Sequence, residues 1–179
     1  IAGALGYSPD RPFSAIAVVN GERVDVEVKT GDFIPLTVKG RYGKTGARIG
    51  GAADFSGSDL LEPFARRIGQ RARFGFASLP VRDAEDVQAM SWTLTAENIT
   101  TRASGLINLK QRAAPDGVKL TVATPSLTRL AGPTLAGATT YTGVFRGGAN
   151  RWSLQGSASL QDTDIASYRA ARVSGPLDL

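Results

Sequence analysis

The chain contains no cysteine and no histidine among its 179 residues. The lack of cysteine excludes disulfide bridges and thiolate metal sites. The lack of histidine excludes the usual general base, the HExxH zinc motif and every Ser-His-Asp triad. We therefore expect a protein that is not an enzyme, with no catalytic residue, no metal site and no cofactor.

Long apolar runs are also missing, since none approaches the roughly 18–20 residues that a membrane-spanning helix needs. The chain opens on Ile1 without an initiator Met and stops on the strand-like Pro176-Leu177-Asp178-Leu179. We therefore expect a fragment of a longer protein. Any anchor or export signal of the parent would lie outside this segment.

Charge is modestly basic, with 21 Lys and Arg against 16 Asp and Glu. A basic surface attracts phosphates of nucleic acids or lipid headgroups. Much of the excess sits at Arg66, Arg67, Arg71 and Arg73, where a solvated face is the commoner explanation. No RNP-type pattern accompanies the nearby aromatics, so we expect no nucleic-acid partner.

A sequence pattern occurs twice, in residues 90–109 and 150–179. Both copies begin with Trp-(Ser/Thr)-Leu, at Trp92 and Trp152, and both close on Ser-Gly-x-(Ile/Leu)-(Asn/Asp)-Leu, ending at Leu109 and Leu179. A repeat near 60–70 residues with alternating polar and apolar positions predicts an extended β-array. We treat residues 1–179 as a single segment of such an array, with its function in one long shared surface.

Alternation predicts an all-β fold of about a dozen strands with one or two short helices. Val24, Val26 and Val28 share one side of a strand whose other side is charged. Asn20-Gly21 before this strand is a strong hairpin signal, because both residues tolerate a positive φ. The sequence therefore predicts an elongated repeat array.

The apolar positions of these strands are the candidate binding surface. They line either an open apolar groove or a closed core between two sheets, since both need one apolar face per strand. The predicted groove residues are Val24, Val26, Val28, Ile34, Leu36, Val38, Phe74, Phe76, Trp92, Leu94, Leu120, Val122, Trp152 and Leu154.

The segment Ser58–Gly69 breaks the strand period and predicts a short or irregular helix, limited by Pro63. We expect its apolar residues to plug or cap the apolar interior, an ordinary helical crossover between sheets being the alternative. The candidate plug residues are Leu60, Leu61, Phe64 and Ile68. A shorter helical segment follows at Pro125–Gly132.

Two short motifs in the chain are weak evidence for a function. Gly43-Lys44-Thr45 lacks the earlier glycine of a phosphate-binding loop, because Val38 stands there. Asn98-Ile99-Thr100 is a glycosylation sequon, but such tripeptides occur by chance and the strand context is poor.

The second half of the chain resembles TamB-like proteins (the translocation and assembly module) of the AsmA-like superfamily. The resemblance rests on the strand and Leu-rich turn from Val118 to Gly132, on Leu135-Ala136-Gly137, and on the final strand from Ala171 to Leu179. It covers the first half loosely, and it leaves TamB-like and other AsmA-like proteins as alternatives.

The resemblance implies a β-taco, a sheet folded into a trough with an apolar interior. It implies a periplasmic location, with the parent protein anchored in the inner membrane. It also implies phospholipid transport and outer-membrane assembly, with a TamA-like barrel as a partner reached through other parts of the parent. A different class of function is a structural or adhesive β-array of the passenger type, whose apolar core is closed. In either case we expect the isolated segment to self-associate through its open strand edges.

Overall fold

The computed structural model describes residues 13–31, 33–148, 151–165 and 168–178. In these residues the chain forms one open sheet of eleven antiparallel strands, with two short helices. The all-β fold is therefore confirmed, with eleven strands where the sequence predicts about a dozen. Residues 1–12 of the predicted segment and Leu179, the last residue of the second pattern, lie outside the described residues.

The strands follow one another in the sheet in sequence order, so each pairs with the strands before and after it in the chain. Their bounds are β1 Phe13–Asn20, β2 Arg23–Thr30, β3 Phe33–Gly43, β4 Gly46–Asp54, β5 Arg71–Val81, β6 Ala84–Ala96, β7 Thr100–Asn108, β8 Ala113–Thr124, β9 Ala138–Gly148, β10 Trp152–Ile165 and β11 Tyr168–Asp178. The two copies of the sequence pattern fall on β6–β7 and on β10–β11.

The first hairpin shows how the local sequence sets the register. Asn20 pairs with Arg23, so the two turn residues are Gly21 and Glu22. Gly21 has a φ of 58°, a left-handed conformation that glycine adopts without a steric penalty. The turn lies where the Asn-Gly signal predicts it, shifted by one residue.

Two helices interrupt the succession of hairpins. Helix α1, Glu62–Ile68, joins β4 to β5, and helix α2, Leu127–Ala131, joins β8 to β9. Both connections lie at the same end of the sheet, because both lead from an even-numbered strand to an odd-numbered one. The two helices contact each other there.

Helix α1 is shorter than the predicted segment Ser58–Gly69. Pro63 falls in its first turn, where the missing N–H costs no helical hydrogen bond. Ser58 precedes the helix, and its hydroxyl accepts a hydrogen bond from the Leu61 N–H at 3.2 Å. The Gly69 N–H donates to the Ala65 carbonyl at 2.8 Å and ends the helix where the sequence predicts.

Few apolar side chains are buried in the described residues, and most of them are small. They are Ala65, Ile68, Ala72, Ala114 and Tyr141. A sheet of this size packed against a second layer would bury many large apolar side chains. In the described part of the chain, the sheet is therefore a single layer without a closed core.

Candidate functional site

The pairing register assigns each strand side chain to one of two faces, because successive side chains point to opposite sides of a sheet. We call the face that carries Trp92 the apolar face, and the face that carries its neighbour Thr93 the polar face. Among the described residues that pair with a neighbouring strand, none on the apolar face is charged. This statement leaves aside residues 161–171 of the β10–β11 hairpin.

One row of directly opposed residues crosses the apolar face from β1 to β11. It contains apolar residues and glycine alone, and we call it the Trp92 row. Its members are Val19, Val24, Gly40, Ile49, Phe76, Trp92, Ala103, Leu120, Gly143, Gly156 and Leu177. The row runs perpendicular to the strands, and none of its members has a polar side chain.

The sequence prediction of the groove residues can now be placed residue by residue. Thirteen of the fourteen lie on the apolar face, spread over β2, β3, β5, β6, β8 and β10. The exception is Ile34, which lies at the register shift between the Val28–Leu36 and Thr30–Phe33 pairs, so the pairing does not assign it to a face. The common face of the thirteen is a structural fact, while their role as a groove stays a prediction.

Other residues of the same face were missing from the predicted set. Ile49, Met90, Val118, Tyr141 and Phe145 all face the same side as Trp92. The spacing Tyr141-x-Gly143-x-Phe145 contains the alternation that would have identified the last two. Phe145 stacks against Trp152 with ring centroids 6.2 Å apart.

Aromatic rings on the apolar face pack over glycines in neighbouring positions. A Cβ added at Gly51 would come within 2.5 Å of Cζ and 3.0 Å of Cε1 of Phe74, so this ring lies over the Gly51 backbone. Tyr141 lies in the same way over Gly143 and Gly156. Because glycine has no side chain, the rings can pack flat against the backbone of the sheet at these positions.

The Tyr141 hydroxyl is a buried polar atom on the apolar face. Tyr141 is buried, and its hydroxyl has no hydrogen-bond partner in the described residues. Its position against Gly143 and Gly156 places it at the Trp92 row. A buried hydroxyl without a partner costs free energy unless another group reaches it.

Both tryptophans of the apolar face remain accessible. Trp92 is 40% exposed and Trp152 is 53% exposed. A contiguous exposed apolar surface of more than a few hundred Å² marks an interaction site on a soluble protein. The exposed tryptophans therefore make this face a candidate binding surface.

One end of the sheet is closed by a polar hub at Asn98, which lies between β6 and β7. Asn98 is 2% exposed. Its Nδ2 donates to the carbonyls of Arg67 at 2.9 Å and Ser126 at 3.1 Å, and its backbone N–H donates to the Ile68 carbonyl at 2.9 Å. The Thr124 hydroxyl has two acceptors within reach, the Ser126 carbonyl at 3.1 Å and Asn98 Oδ1 at 3.4 Å. The hub thus ties the end of α1 to the start of α2, although the sequence shows Asn98 only as part of a sequon.

The four predicted plug residues do not share one buried face. Ile68 is 5% exposed and Leu61 is half-buried, while Phe64 is 47% exposed and Leu60 is more exposed still. The reason is the late helix start, which leaves Leu60 and Leu61 before the first turn. Phe64 packs edge-on against Phe55, with ring centroids 5.3 Å apart. The side of α1 that is buried consists of Ala65 and Ile68.

The apolar face is buried at the end of the sheet where the two helical connections lie. Ala72, Thr101 and Thr124 stand on that face near this end of their strands, and all three are buried. We infer that the two helical connections cover this end of the face. Elsewhere on the face Ser78, Ala114 and Tyr141 are also buried, while Trp92 and Trp152 are exposed.

An ion pair on the polar face fixes the strand ends beside α1. Arg71 Nε donates to Asp54 Oδ2 at 2.8 Å, and the Ser56 N–H donates to Oδ1 at 3.0 Å. Partial burial raises the pKa of Asp54, but hydrogen bonds from Ser56 and Arg71 outweigh it and hold the pKa below its ordinary value of 3.8. The carboxylate is therefore charged at neutral pH and stabilises the β4–β5 pair.

Within the described residues, no group of three or more carboxylates is placed to hold a metal ion. Neither helix found there is long and apolar enough to cross a bilayer. No protein-family model, no curated protein and no solved structure matches the chain. The function must therefore be argued from the two faces of the sheet.

Proposed function

We propose that the apolar face binds the acyl chains of phospholipids, as a segment of a periplasmic lipid-transport and outer-membrane assembly protein of the TamB-like kind. The parent protein would be anchored in the inner membrane and would reach a TamA-like barrel through its other parts. The observation that carries the proposal is the Trp92 row, a line of directly opposed apolar residues and glycines that crosses all eleven strands.

The dimensions of the sheet suit an extended apolar ligand. Eleven strands give ten spacings of about 4.8 Å, so the Trp92 row is about 48 Å long. Each fully buried CH₂ group of an acyl chain contributes about 0.8 kcal/mol. A flat face covers one side of a chain, so we propose that the sheet curves into a trough, which increases the covered fraction.

The competing function, an adhesive array with a closed core, lacks a supporting observation. Such an array needs large apolar side chains packed in its interior. In the described residues the buried apolar set contains three alanines and only two larger residues, Ile68 and Tyr141.

Tryptophan fluorescence tests the proposal directly, because the chain has two tryptophans and both lie on the apolar face. Phospholipids with brominated acyl chains should quench both, with Trp152→Phe and Trp92→Phe variants separating the two signals. The brominated lipid is added without detergent. If it quenches the fluorescence of neither tryptophan, acyl-chain binding on this face is refuted.

Matched variants in β6 separate binding from folding. Leu94→Asp places a charge on the apolar face, while Thr93→Asp places the same charge one residue away on the polar face. We expect Leu94→Asp to reduce bound lipid several-fold and Thr93→Asp to leave it unchanged. Both variants should keep the β-type circular dichroism, and equal lipid binding by two folded variants would contradict the proposal.

A further inference from the structure

Three arginines lie directly opposite one another on the polar face. Arg23 of β2 pairs with Arg41 of β3, and Arg41 pairs with Arg48 of β4. Directly opposed side chains in neighbouring strands have Cβ atoms about 4.5–5.5 Å apart, and like charges in this arrangement destabilise a sheet. Such a row therefore needs a compensating partner.

Glu22 and Asp25 lie near these arginines, but in the residues that the structure describes neither is within ion-pair distance of them. No carboxylate of the described residues forms an ion pair with Arg23, Arg41 or Arg48. The nearby Asp25 instead pairs across the strands with Lys39 at 3.5 Å. The row keeps three positive charges within two strand spacings, about 10 Å.

A shallow surface cavity of about 460 Å³ opens on the same side of the sheet. All three arginines line it, together with Asn20 of β1, which lies opposite Arg23, and with the ion pair of Lys39 and Asp25. The cavity thus brings three guanidinium groups and an amide donor to one place, while the Lys39 charge is already paired. Val18 of the edge strand β1 also lines the cavity and is exposed.

We infer that this cavity is a binding site for a single phosphate group, held by Arg41 at its centre and by Arg23 and Arg48 on either side. Guanidinium groups bind phosphate oxygens through paired hydrogen bonds, which makes arginine well suited to this ligand. A bound phosphate would remove the repulsion between the three side chains. The three arginines span about 10 Å, which fits one phosphate group, whereas a nucleic-acid strand needs a longer row of basic residues.

This inference does not rest on the proposed lipid function, since the arginines and the Trp92 row lie on opposite faces. The phosphate could be a free phosphate ester or the headgroup of a phospholipid. Both present the same oxygens to the arginines, and the experiment must distinguish them.

The test compares Arg41→Gln with Arg102→Gln in the whole chain. Arg102 is also exposed on the polar face but lies between Thr93 and Thr121, so it controls for the loss of one charge. Inorganic phosphate is titrated against chloride of equal ionic strength, with Tm and calorimetric Kd as readouts. Vesicles of phosphatidylglycerol, with phosphatidylcholine as control, form the second arm.

We expect phosphate to raise the Tm of the unsubstituted chain and of Arg102→Gln, and Arg41→Gln to weaken phosphate binding about tenfold or more. Without phosphate at low salt, Arg41→Gln should raise the Tm, because it removes two repulsive pairs. A response to vesicles alone assigns the site to headgroups, and a response to phosphate alone assigns it to soluble esters.

Three results would overturn the inference. The first is the absence of any response beyond that of chloride in both arms. The second is an equal loss of binding in Arg41→Gln and Arg102→Gln, which would indicate net charge alone. The third is tighter binding of a single-stranded oligonucleotide that depends equally on both arginines, which would indicate a nucleic-acid surface.

Discussion

Replacing Asn98 with alanine should weaken the link between the two helices and the sheet. The change removes both hydrogen bonds from Nδ2 and leaves the Arg67 and Ser126 carbonyls without that donor in a site that is 2% exposed. An unsatisfied buried polar group costs about 1–3 kcal/mol, so we expect the free energy of unfolding to fall by about 2–4 kcal/mol.

Asn98→Asp sharpens this prediction at nearly constant volume. The aspartate presents two acceptors to two carbonyl oxygens, so at pH 8 the variant should be less stable than Asn98→Ala. Protonation restores one donor, and the difference between the two variants should shrink between pH 8 and pH 5.

Urea unfolding followed by circular dichroism measures both effects. Asn108→Ala is the control, because Asn108 accepts one local hydrogen bond from the Gln111 N–H in an exposed turn, at 2.8 Å. It should cost less than about 1 kcal/mol. Equal losses for Asn98→Ala and Asn108→Ala, or greater stability of Asn98→Asp than of Asn98→Ala at pH 8, would refute the role of Asn98.

Gly51→Ala should cost about 1–3 kcal/mol of folding free energy, because its Cβ would collide with the ring that covers this glycine, whereas Gly50→Ala on the polar face should be neutral or slightly stabilising in the same thermal melts. The charged Asp54 carboxylate contributes stability above about pH 4, and this contribution is lost as the pH falls through its depressed pKa. Asp54→Asn should therefore be less stable than the unsubstituted chain above this pH, with a difference that shrinks at lower pH. Unfolding curves over a pH series measure this difference, and a difference that does not change with pH would contradict the prediction. A cysteine placed at Phe64 should react with a maleimide at the rate of an exposed thiol, while one at Ile68 should react many-fold more slowly, and equal rates would show that α1 has no buried side.

The faces of the sheet were predictable because they depend on a period of two along each strand. The alternation at Val24, Val26 and Val28 assigns them to one side before any pairing is known. The turn signal at Gly21 and the stop at Gly69 are equally local. These features depend on neighbours in the chain, so sequence alone can identify them.

The register and the polar hub were not predictable in the same way. The alignment of Arg23, Arg41 and Arg48 depends on exact turn lengths and on the register shift between Val28 and Thr30. Asn98 acquires its role from carbonyls 31 and 28 residues away in the chain. No periodic signal marks such contacts, because they depend on how two separate connections meet in space.

The sequential strand order also bears on how this protein acquires its structure. Every strand finds its partners among its immediate neighbours in the chain, so the contact order is low for an all-β protein. The sheet can grow one hairpin at a time as the polypeptide emerges from a ribosome or a secretion channel, without waiting for a distant segment. Inserting one more hairpin at a turn would lengthen the sheet by about 10 Å and leave every other pairing intact. Evolution can therefore adjust the reach of such a protein by duplication, in steps of two strands.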